Sequence, residues 1–270
     1  MRTFTVGTAR IGAGEPVCLM GVINGSPESF YAGSYVPPAA VRRVAERMVE
    51  AGAGILDVGA CSTAPGSPPI TLAEEAARMD GLLSELDGTG YPVSVDTMHP
   101  SVLETCLSHD VQMLNDIGGL VDPALTALAA DAGLAACAMA SFGTHGDAVG
   151  VEATLAALGL VRERARKAGI DRLVLDPGIG LWTPGRTVEH DWSLCCAFER
   201  FTAAGDPVLA AVSRKTFLGS ITGRPPAGRL AASLAVTAFL LGKGARVVRT
   251  HDVAETADLL RVRERMGACP

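Results

Sequence analysis

Short apolar runs alternate with longer segments of helical periodicity along almost the whole chain. The runs are Val17–Ile23, Ile55–Val58, Pro92–Val95, Val111–Leu114, Leu134–Met139, Leu173–Leu175, Val208–Val212 and Arg246–Val248. Each is short and non-alternating, the pattern of a parallel strand buried on both faces. The intervening spacing predicts helices over Ala39–Ala51, Ala73–Leu86, Ser101–Ser108, Pro123–Ala132, Val151–Ala168, Glu189–Phe201, Arg229–Leu241 and Ala254–Met266. Val41, Val44, Met48 and Val49 share one face of the first of these. Thr71 precedes the second with Glu74 three residues on, which is capping-box spacing. Gly133, Gly169 and Gly242 stand where a left-handed residue closes a helix. Eight βα units with no surplus strand favour a closed barrel over an open doubly wound sheet, and such barrels typically take about 250 residues. The expected fold class is therefore α/β, a single TIM (β/α)8 barrel formed as one domain by residues 1–270. Met1–Gly14 lies outside the repeating scheme and is expected to plug or flank the barrel bottom.

Composition narrows the picture. Hydrophobic residues make up 48% of the chain and aromatics only 4%, so the core must be built mainly from Ala, Val, Leu and Ile. The seven cysteines show no paired metal-ligand spacing, and their odd number fits reduced thiols in a cytoplasmic protein. No basic segment leads into an apolar run at the N-terminus, which argues against a secretory signal. Even Leu230–Gly242 is too short for a membrane span. A formal charge of −6 offers no basic excess to replace phosphate counterions, so neither nucleic acid nor membrane is an expected partner.

The chemistry lies just after the strands. In chain order these positions hold Asn24, Cys61-Ser62-Thr63, Asp96, Asn115-Asp116, Met139 with Ser141, Asp176-Pro177-Gly178, Ser213-Arg214-Lys215, and Arg249 with His251. Taken singly, each has a structural explanation as a helix cap, a turn or a solvated charge. In a barrel they converge on one bowl, which makes them a polar small-molecule site. Asp96, Asn115 and Asp176 suit a heterocycle with several N–H donors and ring acceptors. Lys215, Arg249 and His251 offer cationic donors for an oxyanion or phosphate. Asn24 is an oxygen ligand of the kind Mg²⁺ takes when phosphates complete its shell.

These segments resemble those of dihydropteroate synthases, in order along nearly the whole chain. Met20-Gly21-Val22-Ile23-Asn24 followed by Ser26-Pro27-Glu28-Ser29-Phe30 is similar to the family's first loop, and Ile55-Leu56-Asp57-Val58-Gly59 with Ser62-Thr63 and Pro65-Gly66 to its second. Ser94-Val95-Asp96-Thr97, Leu114-Asn115-Asp116-Ile117, Leu175-Asp176-Pro177-Gly178-Ile179-Gly180, Ser213-Arg214-Lys215 and Arg249-Thr250-His251-Asp252 resemble the remainder. The resemblance implies condensation of hydroxymethyl-dihydropterin diphosphate with an arylamine, p-aminobenzoate or a ribosylated aminobenzene, with release of pyrophosphate. It implies that Asp96, Asn115, Asp176, Lys215 and Met139 hold the pterin. Asn24, Arg249 and His251 would hold the diphosphate with Mg²⁺ beside Asn24, and Thr63 and Thr216 would lie toward the arylamine. Lys215, Arg249, His251 and Asn24 would then carry catalysis by neutralising the leaving group, and Cys61 would be no nucleophile. A homodimer built through outer helices is also implied.

The chain departs from the family pattern where the first loop usually carries an Asp (here Ala32) and where the second reads Glu-Ser-Thr-Arg (here Cys61-Ser62-Thr63-Ala64). Met139-Ala140-Ser141 stands in place of a Met-His pair, and Leu181 with Trp182 in place of an aromatic. The arylamine and diphosphate side is changed more than the pterin side. Three functions fit that asymmetry: a synthase with p-aminobenzoate or an altered, methanopterin-type acceptor, a pterin-dependent methyltransferase, and a non-catalytic pterin-binding protein.

Overall fold

The computed structural model of the chain describes residues 1–29, 31–62 and 67–267. The N-terminal segment forms an antiparallel hairpin, β1 (Phe4–Val6) and β2 (Ala9–Ile11). Eight parallel strands follow: β3 (Cys18–Asn24), β4 (Ala53–Gly59), β5 (Val93–Asp96), β6 (Met113–Asp116), β7 (Ala135–Met139), β8 (Leu173–Asp176), β9 (Leu209–Ala210) and β10 (Val247–Thr250). Their order is β8-β7-β6-β5-β4-β3-β10-β9. A parallel bridge between Leu175 and Val208, with Leu175 N–H donating to Pro207 O at 2.9 Å, joins the ends of that series. The expected (β/α)8 barrel is the observed fold.

Alternation along the strands sorts the core into two clusters. Leu56, Leu114, Leu175 and Val248 face outward into the layer between strands and helices. Met20, Ile55, Met113, Val174, Leu209 and Val247 fill the barrel interior, and Val6 and Ile11 of the hairpin join them from below. The hairpin therefore closes the bottom. Two residues further along the same strands, the same inward direction carries Asp57, Asn115, Asp176 and Arg249. One period thus yields an apolar plug with a polar layer above it.

The outer layer contains α1 (Val41–Ala51), α2 (Leu72–Leu83), α3 (Pro100–Cys106), α4 (Pro123–Asp131), α5 (Val151–Ala168), α6 (Val188–Cys196), α7 (Phe198–Thr202), α8 (Thr216–Thr222), α9 (Leu230–Gly242) and α10 (Val253–Gly267). Glu189–Phe201, expected as one helix, breaks at Ala197 (φ −96°, ψ 11°) into α6 and α7, which lets Phe198 and Phe201 both reach the core. The short α8 was not expected, and it begins directly after Lys215. Thr71 does cap α2 through Glu74 N–H at 3.2 Å, but the Glu74 carboxylate turns to Arg78 at 2.7 Å, so the capping box is only half formed. Gly169 (φ 79°) closes its helix in the left-handed region as expected, whereas Gly242 stays helical and Gly244 (φ 100°) takes that role.

Candidate active site

The strand C-termini surround a cavity of about 400 Å³ at the top of the barrel. Its wall includes Asn24, Asp96, Asn115, Asp176, Lys215, Thr216, Arg249 and His251. That volume suits a small heterocyclic ligand. Thr63 lies outside the described residues. Met139, the last residue of β7, is buried and is not part of that wall; its side chain occupies the space a Cβ on Gly178 would need, at 2.9 Å from Cγ.

The floor is organised by Arg249. Its Nε donates to Asp57 Oδ2 and its Nη2 to Asp96 Oδ2, each at 2.6 Å. Asn115 Nδ2 donates to the same Asp57 oxygen at 3.1 Å. Arg249, expected to face the diphosphate, thus also ties together the carboxylates of β4 and β5. Asp57 was not singled out as a site residue. Its side chain is 0% exposed, and its Oδ1 has no partner among the described residues. The available signal was one carboxylate inside the apolar run Ile55-Leu56-Asp57-Val58. Burial opposes the charge of Arg249, but Asp57 and Asp96 outweigh it and hold the guanidinium protonated.

Burial is also the main influence on Asp96. It lifts the carboxyl from near 3.8 to about 7, opposed by Arg249 and reinforced by Asp57, Asp116 and Glu75. Because the folded-state value is the higher one, the fold takes up a proton between about pH 4 and 7. The contribution of Asp96 to stability therefore falls as pH rises through that window. The Tm of the protein relative to Asp96→Asn should decrease from pH 4 to pH 7 and level off above it. Parallel Tm curves across that range would contradict this assignment.

Asn115 and Asp116 divide. Asn115 points into the bowl, while Asp116 turns outward and accepts the N–H groups of Gly118 and Leu120 at 2.6 and 2.7 Å. Asp116 is therefore a turn cap. Asp176 Oδ1 accepts Gly178 N–H at 2.7 Å, and its carboxyl is raised by burial against the pull of Lys215 and Arg249. Lys215 Nζ donates to Ile179 O and lies 5.1 Å from the centre of the Trp182 ring. Trp182 is fixed in turn by Nε1–H donation to Gly178 O at 2.9 Å. With Leu181 one place earlier, Trp182 supplies the aromatic surface of this loop. Burial lowers the Lys215 ammonium, with Asp176 and Asp191 opposing. Asp191, fully buried behind the loop, accepts Gly180 N–H at 2.8 Å and faces the buried Arg186 at 3.6 Å. Nothing in the periodicity of α6 marked that pair.

His251 corrects the expectation of a third cation. Burial, then Arg249, Arg214 and Lys215, push the imidazole down to about 3, so it is neutral. Ser213 Oγ accepts the His251 backbone N–H at 3.2 Å and lies 3.0 Å from Nδ1. The Ser213 hydroxyl can donate to Nδ1 or accept from it, so this contact is compatible with either tautomer of the neutral ring. Asn24 Nδ2 donates to Ser34 Oγ at 2.9 Å, and its Oδ1 accepts Ser26 N–H at 3.0 Å. Thr216, at the start of α8, is exposed on the rim. Burial pushes the Cys61 thiol up to about 11, which suits a packed side chain and not a nucleophile.

A (β/α)8 barrel with this polar floor and these cations at its C-terminal mouth is a small-molecule enzyme scaffold for an aminated heterocycle carrying an anionic group. Comparison with known proteins narrows the class. The family described as "Pterin binding enzyme" matches residues 20–251. The dihydropteroate synthase of Mycobacterium leprae is 35% identical over 268 residues, covering 92% of both chains. The structure of the Thermus thermophilus dihydropteroate synthase in complex with 6HMPPP is 36% identical, with a TM-score of 0.80 over 98% of this chain and 100% of that one. The Xanthomonas albilineans dihydropteroate synthase with 4-aminobenzoic acid is 32% identical, with a TM-score of 0.83 over 99% of both. The chain belongs to the dihydropteroate synthase family.

Proposed function

We propose that this single-domain protein condenses hydroxymethyl-dihydropterin diphosphate with p-aminobenzoate and releases pyrophosphate. The observation that carries this reading is the gathering of Asp96, Asn115, Asp176 and Lys215 in one bowl with Asn24, Arg249 and His251. Similarity to the Xanthomonas albilineans synthase with 4-aminobenzoic acid favours p-aminobenzoate over a ribosylated arylamine. A methyl-transferring barrel would have no use for an anion-binding side.

In this reading the carboxylates and Asn115 accept and donate along the polar edge of the pterin, with Lys215 beside them and Met139 beneath. Arg249 reaches from that floor toward the diphosphate. The neutral His251, in its Nε2–H tautomer, donates to an oxygen of the leaving group, where negative charge accumulates as the methylene carbon–oxygen bond breaks. The arylamine approaches from the rim beside Thr216, attacks the methylene as the carbon–oxygen bond breaks, and gives up its extra proton to solvent water. No side chain forms a covalent intermediate. Asn24 Oδ1 keeps a second lone pair beyond its bond from Ser26, so it fits a Mg²⁺ ion. Among the described residues no cluster of three His, Cys, Asp or Glu side chains could hold a metal, so diphosphate oxygens and water would complete the shell. When bound, Mg²⁺ neutralises leaving-group charge.

The test is pyrophosphate release from hydroxymethyl-dihydropterin diphosphate and Mg²⁺, with p-aminobenzoate or a ribosylated arylamine, using Asp176→Ala and Lys215→Ala as controls. Release that requires p-aminobenzoate and disappears in both controls supports the synthase. Tight pterin binding without release would overturn it.

The expected partner is a second copy of the chain. The outward side of α9 carries exposed Ala231, Ala235 and Phe239, and Val262 and Met266 of the adjacent α10 are exposed as well. Phe239→Asp should raise the dimer dissociation constant at least about tenfold, because a charge at an apolar contact is costly to desolvate. Sedimentation velocity reads this directly, and an unchanged profile would exclude that face. No helix among the described residues is long and apolar enough to cross a membrane. Six described cysteines are free thiols, which suits the reducing cytoplasm.

A further inference from the structure

Arg214 lies between two site residues, yet its edge is unavailable to a phosphate. Nε and Nη2 pair with the Asp252 carboxylate at 2.9 and 2.7 Å, and Nη1 donates to Pro226 O and Ala227 O at 3.0 and 2.7 Å. Its backbone adopts φ 56°, a conformation rare for a residue with a Cβ. The backbone is held there by N–H donation to Ser233 Oγ at 2.8 Å and by Arg229 Nη1 donating to Arg214 O at 3.1 Å. The guanidinium is thus a fixed plate that offers its face.

That face is covered by Tyr31 of the first loop. The Arg214 Cζ lies 4.7 Å from the ring centroid, and the same ring meets the His251 imidazole edge-on at 5.7 Å between centroids. The loop is tied on around this contact. Ser34 Oγ donates to Tyr31 O at 2.7 Å and accepts from Asn24 Nδ2, while Val36 N–H donates to Asn24 O at 2.8 Å. One aromatic ring therefore couples the loop bearing Asn24 and Ser29 to the strand ends bearing Ser213 and His251.

We propose that Tyr31 is a positioning residue for the anion-binding side of the site, seating the first loop on the Arg214 plate so that Asn24 and His251 face the same diphosphate. The proposal rests on the diphosphate reading given above. The ring acts through its face and edge, by cation–π and aromatic contact. Its hydroxyl is not required, so phenylalanine is an adequate substitute and alanine is not.

The test is calorimetric titration of the native protein, Tyr31→Phe and Tyr31→Ala with inorganic pyrophosphate in the presence of Mg²⁺, alongside their Tm values. The expected result is native-like affinity for Tyr31→Phe within about twofold and a loss of about tenfold for Tyr31→Ala, with Tm changed by no more than about 2 °C, as a half-buried loop contact outside the core implies. In turnover, Tyr31→Ala should raise KM for the pterin diphosphate by a similar factor and leave KM for the arylamine unchanged. Native affinity in Tyr31→Ala, or equal losses in Tyr31→Phe and Tyr31→Ala, overturns the proposal alone. Absence of pyrophosphate binding by the native protein overturns the diphosphate reading and the proposal together.

Discussion

Replacing Asp57 with alanine is expected to cost about 3–5 kcal/mol of stability and nearly all activity, the usual consequence of stripping a buried ion pair of one partner. Asp57 is completely buried and accepts from both Arg249 and Asn115. Without it the guanidinium would keep only Asp96 as a carboxylate partner. Asn115 would lose the acceptor that orients its amide, and both groups line the cavity. Asp57→Asn preserves volume but removes the charge, so its loss should be intermediate. Urea melts report stability, and pyrophosphate release reports activity. A melt of Asp57→Ala superimposable on that of the native protein would show that the floor does not depend on this pair.

The second large effect is on catalysis. Lys215→Ala should lower kcat/KM by about 10²–10³, the scale for deleting one preorganised donor from an active site. Lys215 is held by Ile179 O and the Trp182 ring beside the buried Asp176, so its removal leaves that carboxylate with less compensating charge. Stability should change little, because burial already disfavours the ammonium. Lys215→Arg should not restore the rate, since a larger planar fork cannot take the single-point position that the ammonium holds on Ile179 O beside Asp176. Full activity in either variant would remove Lys215 from the site.

The barrel was legible because strand runs and helical spacing repeat locally, and the strand ends converge by topology alone. Asn24, Asp96, Asn115, Asp176, Lys215, Arg249 and His251 were therefore found from positions just after apolar runs, and all of them line one cavity. What escaped depends on direction and distance. Asp57 lies within a run and reads as strand interior until the barrel places it beneath Arg249. Asp116 adjoins Asn115, yet the two-residue alternation sends it outward to cap a turn. The neutrality of His251 arises from Arg249, Arg214 and Lys215, which meet it only in space. Arg186 and Asp191 meet through a loop whose path no periodicity describes. α8 was missed because seven residues are too few for a helical period to register.

The hairpin at the bottom of the barrel has a consequence for traffic. Val6 and Ile11 are fully buried against the interior plug, so among the described residues the bottom of the barrel is closed and the bowl opens at the strand C-termini. Asn115 and Asp176 lie deep, 5% and 6% exposed, while Thr216 lies out on the rim. With the arylamine seated at the rim as proposed above, whatever occupies the deep end must enter first, because an amine already in place would bar its way. On that reading the expected order of addition is pterin, then arylamine, so that excess arylamine should slow turnover by queueing at the threshold.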